Sequence, residues 1–195
     1  GILYGPVNSR RYGRSLGVNL LPSGRKVCSL DCNYCQLGFA KVVNEAVPKT
    51  GLPSLEEVRA AVEKGFRLYA EEGVRIDDIT VAGNGEPTLH PKFGEIVKLL
   101  REMRDRHLPK SRLTLLSDGL HLDKAHVREG LALFDQPALK FEWGFPETFA
   151  AMNGVDGKLF FKIVEGIQKL DFPYWIQALF VDGPVTNASP AEVEA

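Results

Sequence analysis

A chain of 195 residues is long enough to bury one sizeable core. Its 44% apolar and 25% charged residues and its net charge of -1 create no global field that would recruit nucleic acid or an anionic membrane. No apolar run approaches the roughly 20 residues of a membrane span, and the N-terminal GILYGPVNSRRYG lacks the apolar core of a signal peptide, so a cytoplasmic location without a membrane partner is expected.

Strand-like and helix-like segments alternate. LGVNLLP (16–22) reads as a first strand, and a loop with every cysteine of the chain follows it. The next segment is helical, with Ser54 and Glu57 as a capping box and a stripe of Leu55, Val58, Val62, Phe66 and Tyr69 that Gly73 stops. A second strand is expected over 77–83, and a helix opened by Pro91 presents Phe93, Ile96, Val97, Leu100 and Met103 on one face. Further strands follow at 112–117, 138–143 and 174–181, separated by helices at 123–134 and 157–170. This spacing is that of βαβ units in a parallel sheet. Polar residues at alternate strand positions, among them Asp78, Thr80, Thr114, Lys140 and Glu142, call for a curved sheet with a polar inner face. In SPAEVE, Ser189, Pro190 and Glu192 announce one more helix just before Ala195. The whole of 1–195 reads as one domain, truncated at its C-terminus.

The cysteine loop is CSLDCNYCQLG, with the spacing Cys28-x3-Cys32-x2-Cys35. Three is an odd count that no internal disulfide scheme uses up. Clustered thiols in a reducing compartment point to metal or redox work. Zinc and iron–sulfur clusters both suit thiolates. A zinc site would need a histidine or aspartate to complete it. An iron–sulfur cluster held by three cysteines, where most take four, keeps one corner open for chemistry.

The spacing, with Tyr34 before the third cysteine, resembles the signature of the radical S-adenosylmethionine (radical SAM) superfamily. GNGEP (83–87) at the second strand tip resembles that family's GGEP element, with Asn84 in place of one glycine. YGPVNSRRYGRSLGVNLLP and GEPTLHP are similar to an uncharacterised branch of the superfamily related to the tRNA wybutosine-synthesis enzyme. The resemblance implies an α/β fold, a partial (β/α) barrel of parallel strands, with five of six βα units counted here. It implies a [4Fe–4S] cluster on Cys28, Cys32 and Cys35, with S-adenosyl-L-methionine on the remaining iron. It implies that Gly83, Asn84, Gly85, Glu86 and Pro87 hold the methionine amine. Ser117, Asp118 and Gln177 would line the nucleoside region, with Tyr34 either stacked near adenine or simply in the core. An electron donor such as flavodoxin or ferredoxin is implied, and an RNA substrate by analogy alone. The reaction implied is hydrogen abstraction by a 5′-deoxyadenosyl radical. The rival readings are a truncated or redesigned scaffold without substrate turnover and a zinc-binding structural protein.

The fourth strand, LKFEWGFPETF, departs from the family pattern. Alternation puts Lys140 and Glu142 on one face, either as a structural ion pair or as catalytic substrate contacts. Trp143 and Phe145 are expected at the barrel mouth, occluding the substrate region. Arg10, Arg11 and Arg14 are read as a solvated surface rather than an anion site. His90 is expected to orient its turn, and His107, His121 and His126 to lie on surfaces or helices.

Overall fold

The computed structural model describes residues 1–39 and 51–195. A six-stranded sheet runs in the order β1-β2-β3-β4-β5-β6. The strands are β1 (Leu3–Ser9), β2 (Gly13–Val18), β3 (Asp78–Val81), β4 (Arg112–Ser117), β5 (Gln136–Lys140) and β6 (Trp175–Gln177). β2 to β6 are parallel, and β1 pairs antiparallel with β2. The helices are α1 (Leu55–Glu71), α2 (Phe93–His107), α3 (Ala125–Leu131), α4 (Pro146–Asn153), α5 (Leu159–Gln168) and α6 (Pro190–Glu194).

The five expected strands are all present and parallel, with the first shifted toward the N-terminus, the third at its expected bounds, and the second, fourth and fifth shorter than expected. β1 and α4 are additions. Gly5 and Pro6 make LYGPVNS look like a turn. An edge strand accepts proline because one row of its backbone groups needs no ladder partner, and the register shifts between Tyr4 and Val7, where the two residues sit.

The strands sort their side chains by the period of two. Leu16, Ile79 and Leu113 stand side by side across β2, β3 and β4, as do Val18, Val81 and Leu115. Both rows enter one core with Val58, Val62 and Phe66 of α1 and Phe93, Ile96 and Leu100 of α2. The intervening residues face the barrel interior, and Ser15, Asp78, Thr80 and Thr114 among them are polar and buried. Asp78, fully buried, accepts from Thr80 Oγ1 at 2.7 Å and Thr114 Oγ1 at 2.6 Å, and Ser15 Oγ lies 2.7 Å from Thr80 Oγ1. This network is the barrel floor. A second core of Leu30, Leu120, Trp143, Phe149, Met152, Phe160 and Ile163 lies behind the cysteine loop.

Helix ends follow the sequence signals. Ser54 caps α1 in a full capping box with Glu57. Ser189 Oγ accepts from Glu192 N at the start of α6.

Candidate functional site

The cysteine loop leaves β2 and returns to cross the tip of β3. Val27 N donates to Asn84 O at 2.8 Å, and Glu86 N donates to Val27 O at 3.0 Å. Gly85 has φ +138°, and a Cβ there would fall 1.7 Å from Val27 O. Only glycine lets the two backbones approach this closely. The rest of the loop is pinned at several points. Lys26 Nζ reaches Asp31 Oδ1 at 2.7 Å and Gly38 O at 2.9 Å. Asp31 N and Asn33 N donate to Asn153 O and Met152 O at the end of α4, each at 2.8 Å. Ser29 Oγ lies 3.1 Å from His121 Nε2. His121 is therefore a buried clamp on this loop, where the sequence reading placed it on a surface or helix.

Cys28, Cys32 and Cys35 are free thiols of intermediate burial. All three open onto one cavity of about 800 Å³, and Tyr34, Gly85, Glu86, Ser117, Asp118, Lys140, Glu142 and Gln177 line it with them. Gly83 and Asn84 do not. They line a separate depression of about 470 Å³, and the Asn84 carbonyl is engaged by the cysteine loop. Pro87 is buried at the start of a short 3-10 turn, Pro87–Leu89. His90 orients that turn as expected: Lys92 N donates to its Nδ1 at 3.1 Å, and its Nε2 lies 3.0 Å from Pro53 O.

Glu86 ties the tips of β3 and β4 together. Its carboxylate accepts from Thr88 N at 3.0 Å, Thr88 Oγ1 at 2.5 Å, Ser117 Oγ at 2.9 Å and Asp118 N at 2.7 Å. Burial, and then the charge of Asp118, push its carboxyl up to about 8 despite those bonds. Asp118 uses one oxygen to accept from Leu120 N, and its Oδ2 is buried without a partner among the described residues. A buried acceptor left open beside a cavity is suited to a ligand hydroxyl or N–H.

Lys140 and Glu142 point inward and are paired, Nζ to Oε1 at 3.1 Å. Tyr34 Oη also donates to Glu142 Oε1, and Leu179 N donates to Oε2 at 2.9 Å. Burial, and then the Glu142 contact, push the Tyr34 phenol well up from its usual range. The ring of Tyr34 packs against the second core while its hydroxyl serves the cavity.

Trp143 and Phe145 do not occlude the cavity, and neither lines it. Trp143 is 3% exposed, edge-on to Phe149 with ring centroids 4.8 Å apart. Phe145 precedes α4 at the surface. Instead Ser9, Arg10 and Arg11 of the β1–β2 turn line the cavity; Arg10 and Arg11 are exposed, as a solvated surface requires, and edge the cavity as well. Ser9 Oγ accepts from Arg11 N and Tyr12 N, which fixes that turn. A hairpin reading of 3–18 would have brought these arginines to the sheet.

The donor set fits an open-cornered cluster. Three thiols are offered with no fourth cysteine in the chain. Among the described residues no three His, Cys, Asp or Glu side chains converge to hold one metal ion. A mononuclear zinc site requires such convergence, whereas the thiolates of a cluster bind separate irons. Burial, and then the charges of Asp118 and Glu86, push the Cys28 thiol well up.

Comparisons with known proteins agree with this geometry. The family profile described as "Radical SAM superfamily" matches residues 25–184. A UPF0026 protein of Synechocystis sp. is 34% identical over 169 residues, which cover 85% of this chain and 58% of that protein. The structure of TYW1 with a lysine–pyruvate adduct bound superposes with a TM-score of 0.58 at 16% identity, over 87% of this chain and 56% of that one. SuiB of Streptococcus suis bound to S-adenosylmethionine superposes with a TM-score of 0.54 at 17% identity, over 85% of this chain and 34% of that one. The chain spans about half the length of the curated UPF0026 relatives it matches. With a matching profile over most of its length and three thiols at the tip of a partial parallel barrel, the chain belongs to the radical SAM superfamily.

Proposed function

We propose that this chain is the core of a radical SAM enzyme, working in the cytoplasm on a substrate that reaches the cavity above the barrel floor. The observation that carries this reading is the meeting of three free thiols, the Glu86 carboxylate and the open Asp118 oxygen in one cavity. Cys28, Cys32 and Cys35 would hold a [4Fe–4S] cluster, whose chemistry when bound and reduced would be the one-electron cleavage of S-adenosyl-L-methionine to methionine and a radical able to abstract hydrogen. A methionine ammonium at the β3 tip would pull the raised Glu86 carboxyl back down, so that its ionised form accepts from that ammonium. Asp118 Oδ2 accepts from the nucleoside, and Ser117 and Gln177 extend that polar wall. Lys140, Glu142 and Tyr34 form the opposite wall and keep its charges paired in a partly dry space. The electron would come from a low-potential carrier such as flavodoxin or ferredoxin. By family analogy alone, an RNA substrate is among those to be assayed.

The test is anaerobic reconstitution with iron and sulfide. About four irons per chain are expected, together with 5′-deoxyadenosine and methionine from S-adenosylmethionine in the presence of dithionite. Cys32→Ala is expected to lose the iron. Full iron loading in that variant would overturn the cluster assignment. Tight zinc binding in place of iron would return the protein to a structural role.

A further inference from the structure

Lys140 is the most tightly constrained cation in the cavity wall. Its ammonium has three donors, and the structure supplies three acceptors. Nζ lies 3.0 Å from Cys32 Sγ, 2.8 Å from Asn153 Oδ1 and 3.1 Å from Glu142 Oε1. Two aromatic rings flank it, with the Tyr34 and Trp143 centroids 4.8 Å and 4.9 Å away. Such faces attract a cation and keep water from it.

The acceptors are themselves fixed. Asn153 is fully buried, and its Nδ2 donates to Phe149 O at 2.8 Å, which turns its oxygen toward Lys140. The same residue's carbonyl holds Asp31 N of the cysteine loop. Glu142 is held by Tyr34 Oη and Leu179 N. Lys140 therefore cannot leave Cys32 without stranding buried polar groups, and each such loss costs about 1–3 kcal/mol.

We infer that Lys140 is a positioning residue that holds a fixed positive charge against the Cys32 sulfur and so sets the reduction equilibrium of a cluster bound there. The inference rests on the cluster reading above. Reduction adds one electron, supplied by an external one-electron reductant, and makes the thiolate-ligated cluster more negative by one charge. A cation at hydrogen-bond distance in a low-dielectric wall stabilises the more negative state, and hydrogen bonds to ligand sulfur are among the levers that set such potentials. Glu142 works against this. Its carboxylate draws on the same ammonium and adds a negative charge to the wall.

The experiment is a redox titration of the reconstituted, SAM-free protein with dithionite and mediators, read by the paramagnetic signal of the reduced cluster. Iron content is measured first for every sample. Lys140→Met at matched iron is expected to lower the reduction equilibrium constant tenfold or more, about 59 mV for one electron. Lys140→Arg is expected to keep most of the parent value, and Glu142→Gln to shift it the other way. An equilibrium in Lys140→Met within twofold of the parent at equal iron overturns the inference. Should Lys140→Met fail to load iron, the sign of the Glu142→Gln shift decides, and an unmoved or lowered value overturns it. A parent protein that takes up no iron overturns the cluster reading itself, before any variant is compared.

Discussion

Glu86 combines two demands. As a carboxylate it is the acceptor that joins the tips of β3 and β4, yet it is 2% exposed and faces Asp118 across that joint. Burial and the neighbouring charge favour its protonated form, so its carboxyl titrates near 8 in the folded chain against the usual 4.5. Between those values the folded state binds the proton and the unfolded state does not. The Glu86 contribution to stability is therefore full below about 4.5 and is lost as pH rises through about 8. In iron-free protein, urea midpoints measured across that window are expected to carry a falling component that Glu86→Gln removes. His90 and His121, whose protonation burial disfavours, are common to parent and variant and drop out of the difference, which reports Glu86 together with its coupling to Asp118. Equal slopes in parent and variant would show that the carboxylate stays ionised throughout.

Among the contacts that pin the cysteine loop, the bridge of Val27 to Gly85 ties it to the tip of β3. Gly85→Ala would place a methyl 1.7 Å from the Val27 carbonyl oxygen, in a conformation with φ +138° that L-residues disfavour. The bridge must open. The expected result is loss of most iron uptake and faster proteolysis within the loop, with circular dichroism of the sheet and helices retained. Normal iron content in this variant would show that the loop holds its shape without the bridge.

That element also shows what was legible in the sequence. The three cysteines and GNGEP are local patterns, so spacing alone located them. The alternation Leu139, Lys140, Phe141, Glu142 put the charged pair inside, where the structure has it. One further step of the same alternation groups Trp143 with Phe141, and both do pack in the second core. The expectation of an occluding tryptophan abandoned the period of two where β5 ends, in favour of its bulk at the strand tip. β1 was hidden because glycine and proline signal a turn locally, and only the neighbouring β2 makes them an edge. His121 has no periodic partner at all. Its role comes from a contact with Ser29, 92 positions away in sequence, which no local pattern encodes.

Over the whole molecule, the sheet curves around a polar floor and ends in two unlike edges. β1 carries Pro6 and an irregular register, features that discourage pairing with another strand. β6 has neither. It is three residues long, pairs among the described residues only with β5, and is followed by Leu179 and Phe180. Trp175 and Phe180 are 57% and 60% exposed, and Ile176 and Leu179 are about half exposed. A cluster of exposed apolar side chains of this kind favours association. The 195-residue chain is therefore expected to self-associate in proportion to its concentration, seen as a rising weight-average mass in sedimentation equilibrium. Trp175→Lys places a charge on the edge and removes its largest apolar side chain. It is expected to weaken association ~10-fold or more, about 1.4 kcal/mol, while iron loading stays at the parent level, because Trp175 does not line the cavity of the cysteines. A parent chain that stays monomeric at all concentrations, or a variant that associates as strongly as the parent, would place the apolar edge outside any such contact.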